Sequence, residues 1–244
     1  MKDSFNLKHF SYLLLTFIFF TVVGTLTHEG GHIAVAKCYG YETTLHYGSM
    51  NYVTPYKEEW DSMQAIYQRH KVDEDNHILH EESERQQKLA AMVKDKYNST
   101  ASKLITIGGP IQTLLTSFIG ILILAYRRKS MKIYGIKFWD WLAIFLALFS
   151  LRFVSNMTLS LINGLFLGGN SYFSGDEARL ASSLNLPSGT FAVPLFFIGL
   201  IIALWVVFMV IPAKSRLTFI LSGLAGGVMG YLIWLKWLGP IVMP

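Results

Sequence analysis

Two histidines and a glutamate stand at the spacing H-E-x-x-H, in the run Thr27-His28-Glu29-Gly30-Gly31-His32. On a helix, positions i and i+4 share one face. His28 and His32 can therefore hold one cation between their imidazoles. Glu29, one residue on, can take a proton from water activated by that cation. Imidazole and carboxylate ligands suit zinc in a four-coordinate site, and zinc lowers the pKa of its water to roughly 7. So short a pattern also arises by chance. Here it closes an apolar run from Phe10 to Thr27, where ionisable groups are costly unless they serve a site. Gly30 and Gly31 each cost about 1 kcal/mol against Ala in a helix, which predicts close packing at this turn.

The composition places the motif in a membrane protein. Of 244 residues, 52 % are hydrophobic and 15 % charged, against about 25 % charged in soluble domains. The mean hydropathy is +0.38. The formal charge is +5, but the basic residues cluster at the ends of apolar runs, where orientation signals belong. No zinc-finger, helix-turn-helix or base-stacking pattern is present, so nucleic acid is not an expected partner. Cys38 is the only cysteine, which rules out an intrachain disulfide. It reads as a small buried apolar residue, with a ligand role as the alternative. Lys2 and Lys8 before the first apolar run imitate a signal peptide. No A-x-A-like site follows, so the run is read as a retained span.

The apolar runs predict an all-α polytopic membrane protein with about five transmembrane helices. Span one runs from Phe10 to near Tyr39-Gly40 and span two from Leu104 to Tyr126. Span three is Phe138–Gly164, span four Phe191–Pro212 and span five Leu217–Leu238. A short β-hairpin, with Gly48 as its turn, is expected over residues 41–55. An amphipathic helical insert follows: Met63, Ile66 and Tyr67, then Leu89, Met92 and Val93, recur at helical spacing. The segments are 1–40, 41–55, 56–103, 104–190 with the second and third core helices and the Asp176 loop, and 191–244. His77 and His80 beside Glu81 read as solvent-facing. Gly108-Gly109-Pro110 breaks span two, and Arg127–Lys132 forms a short basic loop. Arg152 in span three serves a site or pairs locally. A short helix from Glu177 to Leu184 is capped by Ser174 or Asp176. Gly223, Gly226, Gly227 and Gly230 give G-x-x-x-G spacings for close helix packing.

A hydrolytic zinc site needs a third protein ligand and one open position. After residue 100 the acidic side chains are Asp140, Asp176 and Glu177. The end of span one, the start of span two, the end of span three and the start of span four share one membrane face. Asp140 lies at the other face, about 30 Å away. Asp176 is therefore the expected third ligand, with Glu177 as the alternate and a plain helix cap as the competing role.

The run His28-Glu29-Gly30-Gly31-His32-Ile33-Ala34-Val35-Ala36-Lys37-Cys38-Tyr39-Gly40 resembles the first motif of the site-2 protease family of intramembrane zinc metalloproteases. In that family an H-E-x-G-H helix continues to a basic residue and a glycine, then to a membrane-associated β segment. Residues 41–55 are similar in character to that segment. Gly108-Gly109-Pro110-Ile111 resembles the G-G-P break that opens the family's second core helix. The family's third motif is an aspartate followed by glycine, whereas this chain has Gly175-Asp176-Glu177. Where the family often has an Asn after its G-P pair, this chain has Gln112 and Thr113. The resemblance covers roughly the first three spans and the loop after them.

The resemblance implies hydrolysis of peptide bonds in or near a transmembrane segment of a membrane-protein substrate in the lipid bilayer. His28, His32 and Asp176 would hold Zn2+, and Glu29 would be the catalytic base. Gly108, Gly109, Pro110, Tyr47 and Asn51 would bind substrate. The segment 56–98 would gate access in place of a PDZ-like insert. The basic residues at 127–132, Lys214 and Arg216 point to the cytoplasm and put the site on the outer or lumenal side; the resemblance implies the cytoplasmic side. Two other functions stay open. One is a membrane metallopeptidase acting on soluble or surface substrates. The other is an inactive protease relative serving as a membrane-protein chaperone or regulator.

Overall fold

The computed structural model describes residues 5–76, 80–97, 99–166, 168 and 172–244. The first helix, α1 (Leu7–Cys38), begins at Asn6, whose side-chain oxygen accepts the His9 N–H at 3.0 Å, a standard N-cap contact. It runs unbroken through His28–His32, and Gly40 ends the turn after it at φ +76°. Strands β1 (Thr43–Leu45) and β2 (Met50–Tyr52) then form an antiparallel hairpin, with Thr44 opposite Asn51. The polar insert is α2 (Lys57–Arg69), a short α3 (Lys71–Asp75) and α4 (Ser83–Lys96). α2 and α4 pack together, which buries Ile66, and Lys96 pairs with Glu59. His80 is half-buried and stacks on His70 at 4.1 Å, so it does not simply face solvent; His77 lies outside the described residues.

Among the described residues, five helices are long and apolar enough to cross a membrane: Leu7–Cys38, Ser99–Tyr134, Phe138–Phe166, Gly189–Val210 and Ala213–Val242. The second is α5 (Ser99–Tyr134). The third is α6 (Phe138–Ala147), continued through one 3-10 turn into α7 (Leu151–Phe166). A short α8 (Asp176–Ser183) links it to α9 (Gly189–Trp205). The last comprises α10 (Ala213–Gly230), a π-helical stretch and α11 (Gly239–Val242).

Two sequence readings need correction here. Arg127–Lys132 is not a loop but the last turns of α5. Arg and Lys are good helix formers, and the helix runs on until Gly135 turns the chain at φ +76°. Gly108-Gly109-Pro110 is not a break, because α5 continues through it. Pro110 removes one N–H from the helical ladder without ending the helix.

The core lies at the end of the bundle remote from the histidines. Phe17 packs edge-on against Phe145 with ring centroids 4.9 Å apart and lies tilted against Phe219 at 5.3 Å. His9 lies against Trp141 at 5.8 Å, which fixes the start of α1 beside the start of α6. His28 is nineteen residues further on, about 28 Å along the helix. At the remote end Arg127 pairs with Asp140, which also accepts the Lys137 N–H at 2.8 Å. Asp140 is thus occupied far from the histidines.

The glycine face of α10 packs on α1. A Cβ at Gly226 would meet Phe17 Cβ at 2.6 Å and Leu14 O at 2.9 Å, and one at Gly230 would meet Thr21 at 2.8 Å. Gly227 points into open space and takes no part. Replacing Gly226 with Val is expected to destabilise the protein by about 1–3 kcal/mol through overpacking. Gly227→Ala is expected to leave it unchanged or slightly more stable. Thermal unfolding in detergent micelles checks both.

Candidate metal centre

The site is built where α1 and α5 touch backbone to backbone. A Cβ at Gly31 would lie 2.5 Å from the Gly108 carbonyl oxygen, and one at Gly108 would lie 2.6 Å from the Gly31 oxygen. Only glycine allows that approach. Gly31 thus meets the expectation of close packing, while Gly30 has nothing within 4 Å. The next residue of α5 faces the imidazoles themselves. A Cβ at Gly109 would lie 2.5 Å from His28 Nε2 and closer still to His32 Nε2.

The same α5 face orients both rings. Thr113 lies one turn beyond Gly109, and its Oγ1 is 2.9 Å from His28 Nδ1. Ile105 lies one turn before, and its carbonyl is 2.6 Å from His32 Nδ1. The Gly109 N–H is also 3.3 Å from that nitrogen, but the much shorter carbonyl contact requires Nδ1 to carry the proton. A neutral His32 therefore points the lone pair of Nε2 into the site. Partners of this kind on the far nitrogen are what fix tautomer and orientation in metal-binding histidines.

Asp176 reaches the rings from α8. Gly175 precedes it at φ +83°, a conformation that favours glycine. Neither Ser174 nor Asp176 caps this helix, contrary to the sequence reading. Ser174 Oγ instead lies 2.5 Å from Ser160 Oγ. Asp176 is the first helical residue, and its Oδ2 lies 2.9 Å from His28 Nε2 and 3.3 Å from His32 Nε2. Burial disfavours a charge on Asp176, but whenever the two ring Nε2 atoms carry protons their hydrogen bonds outweigh burial and hold the carboxyl well below the ordinary carboxylate range. Burial pushes the neighbouring Glu177 carboxyl up. Glu177 turns toward a small cavity with Phe153, Asn156 and Ser160.

Three electron-pair donors therefore converge, since the two Nε2 atoms are themselves 3.3 Å apart. Atoms so close need positive charge between them, as protons or as a cation. A tetrahedral ion about 2.0–2.1 Å from each nitrogen or oxygen holds its ligands about 3.3–3.4 Å apart. The observed triangle, with edges of 2.9, 3.3 and 3.3 Å, is close to that size. His28, Glu29 and His32 also form a buried group whose ligand atoms all lie within 4.8 Å of one another. This group can hold a metal ion. Nitrogen and oxygen donors do not single out zinc. Of the two carboxylates, Asp176 is the one in direct contact with both rings, while Glu29 Oε1 faces Arg152 Nη2 at 3.7 Å.

The other residues singled out in the sequence lie apart from the ring cluster or inside the packing. Gly108, Gly109 and Pro110 are buried. The Tyr47 N–H donates to Met243 O at 3.1 Å, and its carbonyl accepts from Trp234 Nε1 at 2.7 Å, which ties the hairpin turn to the C-terminal helix. Asn51 is exposed on β2, with Nδ2 3.1 Å from His46 Nε2. Cys38 is exposed at the end of α1, not buried. Thr113, the Ile105 carbonyl and the Arg152–Glu29 pair were missed. The available signal was spacing, because Ile105, Gly109 and Thr113 recur every four residues on one helix face.

The fold and site define an all-α polytopic protein with a buried group able to bind metal at one end of the bundle. The chain matches no family model, no curated protein and no solved structure.

Gly109→Ala is expected to push both rings off their positions and to weaken metal affinity at least about tenfold. Thr113→Val is expected to cost about 10–100-fold, the usual range for partners of metal-binding histidines. Gly24→Ala, where nothing lies within 4 Å, is the control. Calorimetric titration of the purified protein with zinc or cobalt measures all three.

Proposed function

We propose that the chain is a zinc-dependent intramembrane endopeptidase of the site-2 protease type, cutting peptide bonds in or near transmembrane segments of other proteins. The observation that carries this reading is the meeting of Asp176 Oδ2 with His28 Nε2 and His32 Nε2 within 3.3 Å, at one end of a helix able to cross a membrane. His28, His32 and Asp176 would hold the ion, which would supply Lewis acidity toward water near neutral pH. Thr113 and the Ile105 carbonyl hold the rings in place. Glu29 takes the proton of the attacking water and passes it to the leaving amine.

The hairpin supports a route for the substrate. Val53 N–H donates to Glu42 O and His46 N–H to Ser49 O, so the bonded pairs of the ladder are 42–53, 44–51 and 46–49. By alternation, the backbone groups of Thr43 and Leu45, and of Met50 and Tyr52, face outward from the two edges. An unwound membrane segment needs such backbone partners, and strand addition supplies them. The polar insert gates this route.

A second reading, cleavage of soluble or surface segments, is favoured by one feature. A groove of about 730 Å³ lies between hairpin and insert, lined by Tyr52, Tyr56, Trp60, Met63 and Tyr97. Cleavage of a soluble peptide that has no membrane segment would select that reading.

Glu29→Gln is expected to keep zinc at the wild-type level and to lower cleavage by at least about 10²-fold. Asp176→Ala is expected to lose zinc and activity together. Metal analysis beside a cleavage assay on a reconstituted transmembrane substrate measures both. Undiminished proteolysis in Glu29→Gln refutes the role given to Glu29. A topology reporter at Ser130 is expected to read cytoplasmic, in keeping with the basic end of α5; a signal from the opposite face reverses the orientation.

A further inference from the structure

Among the described residues, three buried side-chain atoms have no hydrogen-bond partner: Gln112 Oε1, Arg152 Nε and Glu177 Oε1. They come from three different helices, and all three flank the metal group. Gln112 Cβ lies 2.6 Å from where a Gly31 Cβ would be, beside the turn that carries both histidines. Arg152 faces Glu29, and Glu177 follows Asp176. A buried polar group left unpaired costs roughly 1–3 kcal/mol. Such groups are rare in native structures, and ordered water, an ion or a bound ligand is what satisfies them.

Arg152 is the most expensive of the three to leave in this state, because it carries a charge within a helix able to cross a membrane. Its one ion pair among the described residues is the 3.7 Å approach of Nη2 to Glu29 Oε1. Arginine–carboxylate pairs frequently close to bidentate contact. Arg69 does so with Glu82, at 3.0 Å through Nε and 2.8 Å through Nη2. Arg152 stands off from Glu29 and keeps Nε unused.

We propose that Arg152 donates to the oxygen of the scissile carbonyl and holds the negative charge which that oxygen gains as water adds. The inference rests on the peptidase reading. The water oxygen bonds to the carbonyl carbon, the C=O pair moves onto the carbonyl oxygen, and the water proton goes to Glu29. On collapse the C–N bond breaks and the nitrogen takes that proton. Arg152 stays protonated throughout. A donor aimed at the developing charge strengthens its hold in the transition state and adds little to ground-state binding.

The test compares two capped probes on the zinc-loaded full chain in micelles. One is a phosphinic Leu-Leu surrogate that mimics the tetrahedral adduct; the other is the parent Leu-Leu amide. Calorimetry gives both affinities and metal analysis gives the zinc content. Arg152→Gln is expected to keep its zinc, bind the phosphinic probe about 100-fold more weakly and bind the amide within about threefold of wild type. Arg152→Lys keeps the charge without the planar fork and is expected to lose about tenfold on the phosphinic probe alone. The loss should persist when Arg152→Gln is combined with Glu29→Gln, a background in which no carboxylate remains to be neutralised and the double variant leaves no unpaired buried charge at the pair. Unchanged phosphinic binding in Arg152→Gln overturns the proposal. So does a loss that vanishes in the Glu29→Gln background, which would make Arg152 only a counter-ion. A wild type that holds no zinc, or prefers the phosphinic probe no more than the amide, overturns the peptidase reading itself.

Discussion

Everything at the candidate centre depends on the backbone contact between α1 and α5. Gly31 and Gly108 bring the two helices together with no side chain between them. That contact sets Gly109 against both imidazole Nε2 atoms and leaves room for nothing larger there. It also sets the registers of Ile105 and Thr113, one turn to either side, so that each takes the far nitrogen of one ring. A methyl group at any of these glycines would separate the helices or displace a ring. The histidines alone do not make the site; a second helix has to be close enough to aim them.

The distribution of charge follows from the cost of ions in an apolar bundle. Among the described residues, buried ionisable groups are held at two places. At one end Arg127, Asp140 and the Lys137 N–H satisfy one another. At the other, His28, His32 and Asp176 converge, with Glu29 and Arg152 beside them. The first group is closed, since each partner is supplied by the chain. The second leaves Gln112, Arg152 and Glu177 each with an unpaired atom.

The sequence made the spans legible because each is a long apolar run, and it made the hairpin legible because Thr, Tyr and Leu cluster between Gly40 and Pro55. The glycines of α10 were legible as a packing face, although Gly227 was not separable from Gly226 by spacing. The ends of helices were less legible. Arg127–Lys132 looks like a loop on a hydropathy scale, but charge does not stop a helix; Gly135 does. Gly108-Gly109-Pro110 looks like a break, but packing against α1 holds the helix through it. At the site, a five-residue motif was enough to name His28, Glu29 and His32. Asp176 came from topology alone, since membrane sidedness left few acidic residues to choose from. Arg152 could not be assigned a partner, because no local pattern says which helix faces which.

The central claim is that two imidazoles and the Asp176 carboxylate share one ion. X-ray absorption at the zinc edge of the zinc-loaded protein measures this directly. The account predicts a four-coordinate shell of nitrogen and oxygen at about 2.0–2.1 Å, with the outer-shell scattering of two imidazoles, and no bound zinc to give that edge in Asp176→Ala. A six-coordinate oxygen shell without imidazole scattering, or a shell unaltered by Asp176→Ala, would contradict it.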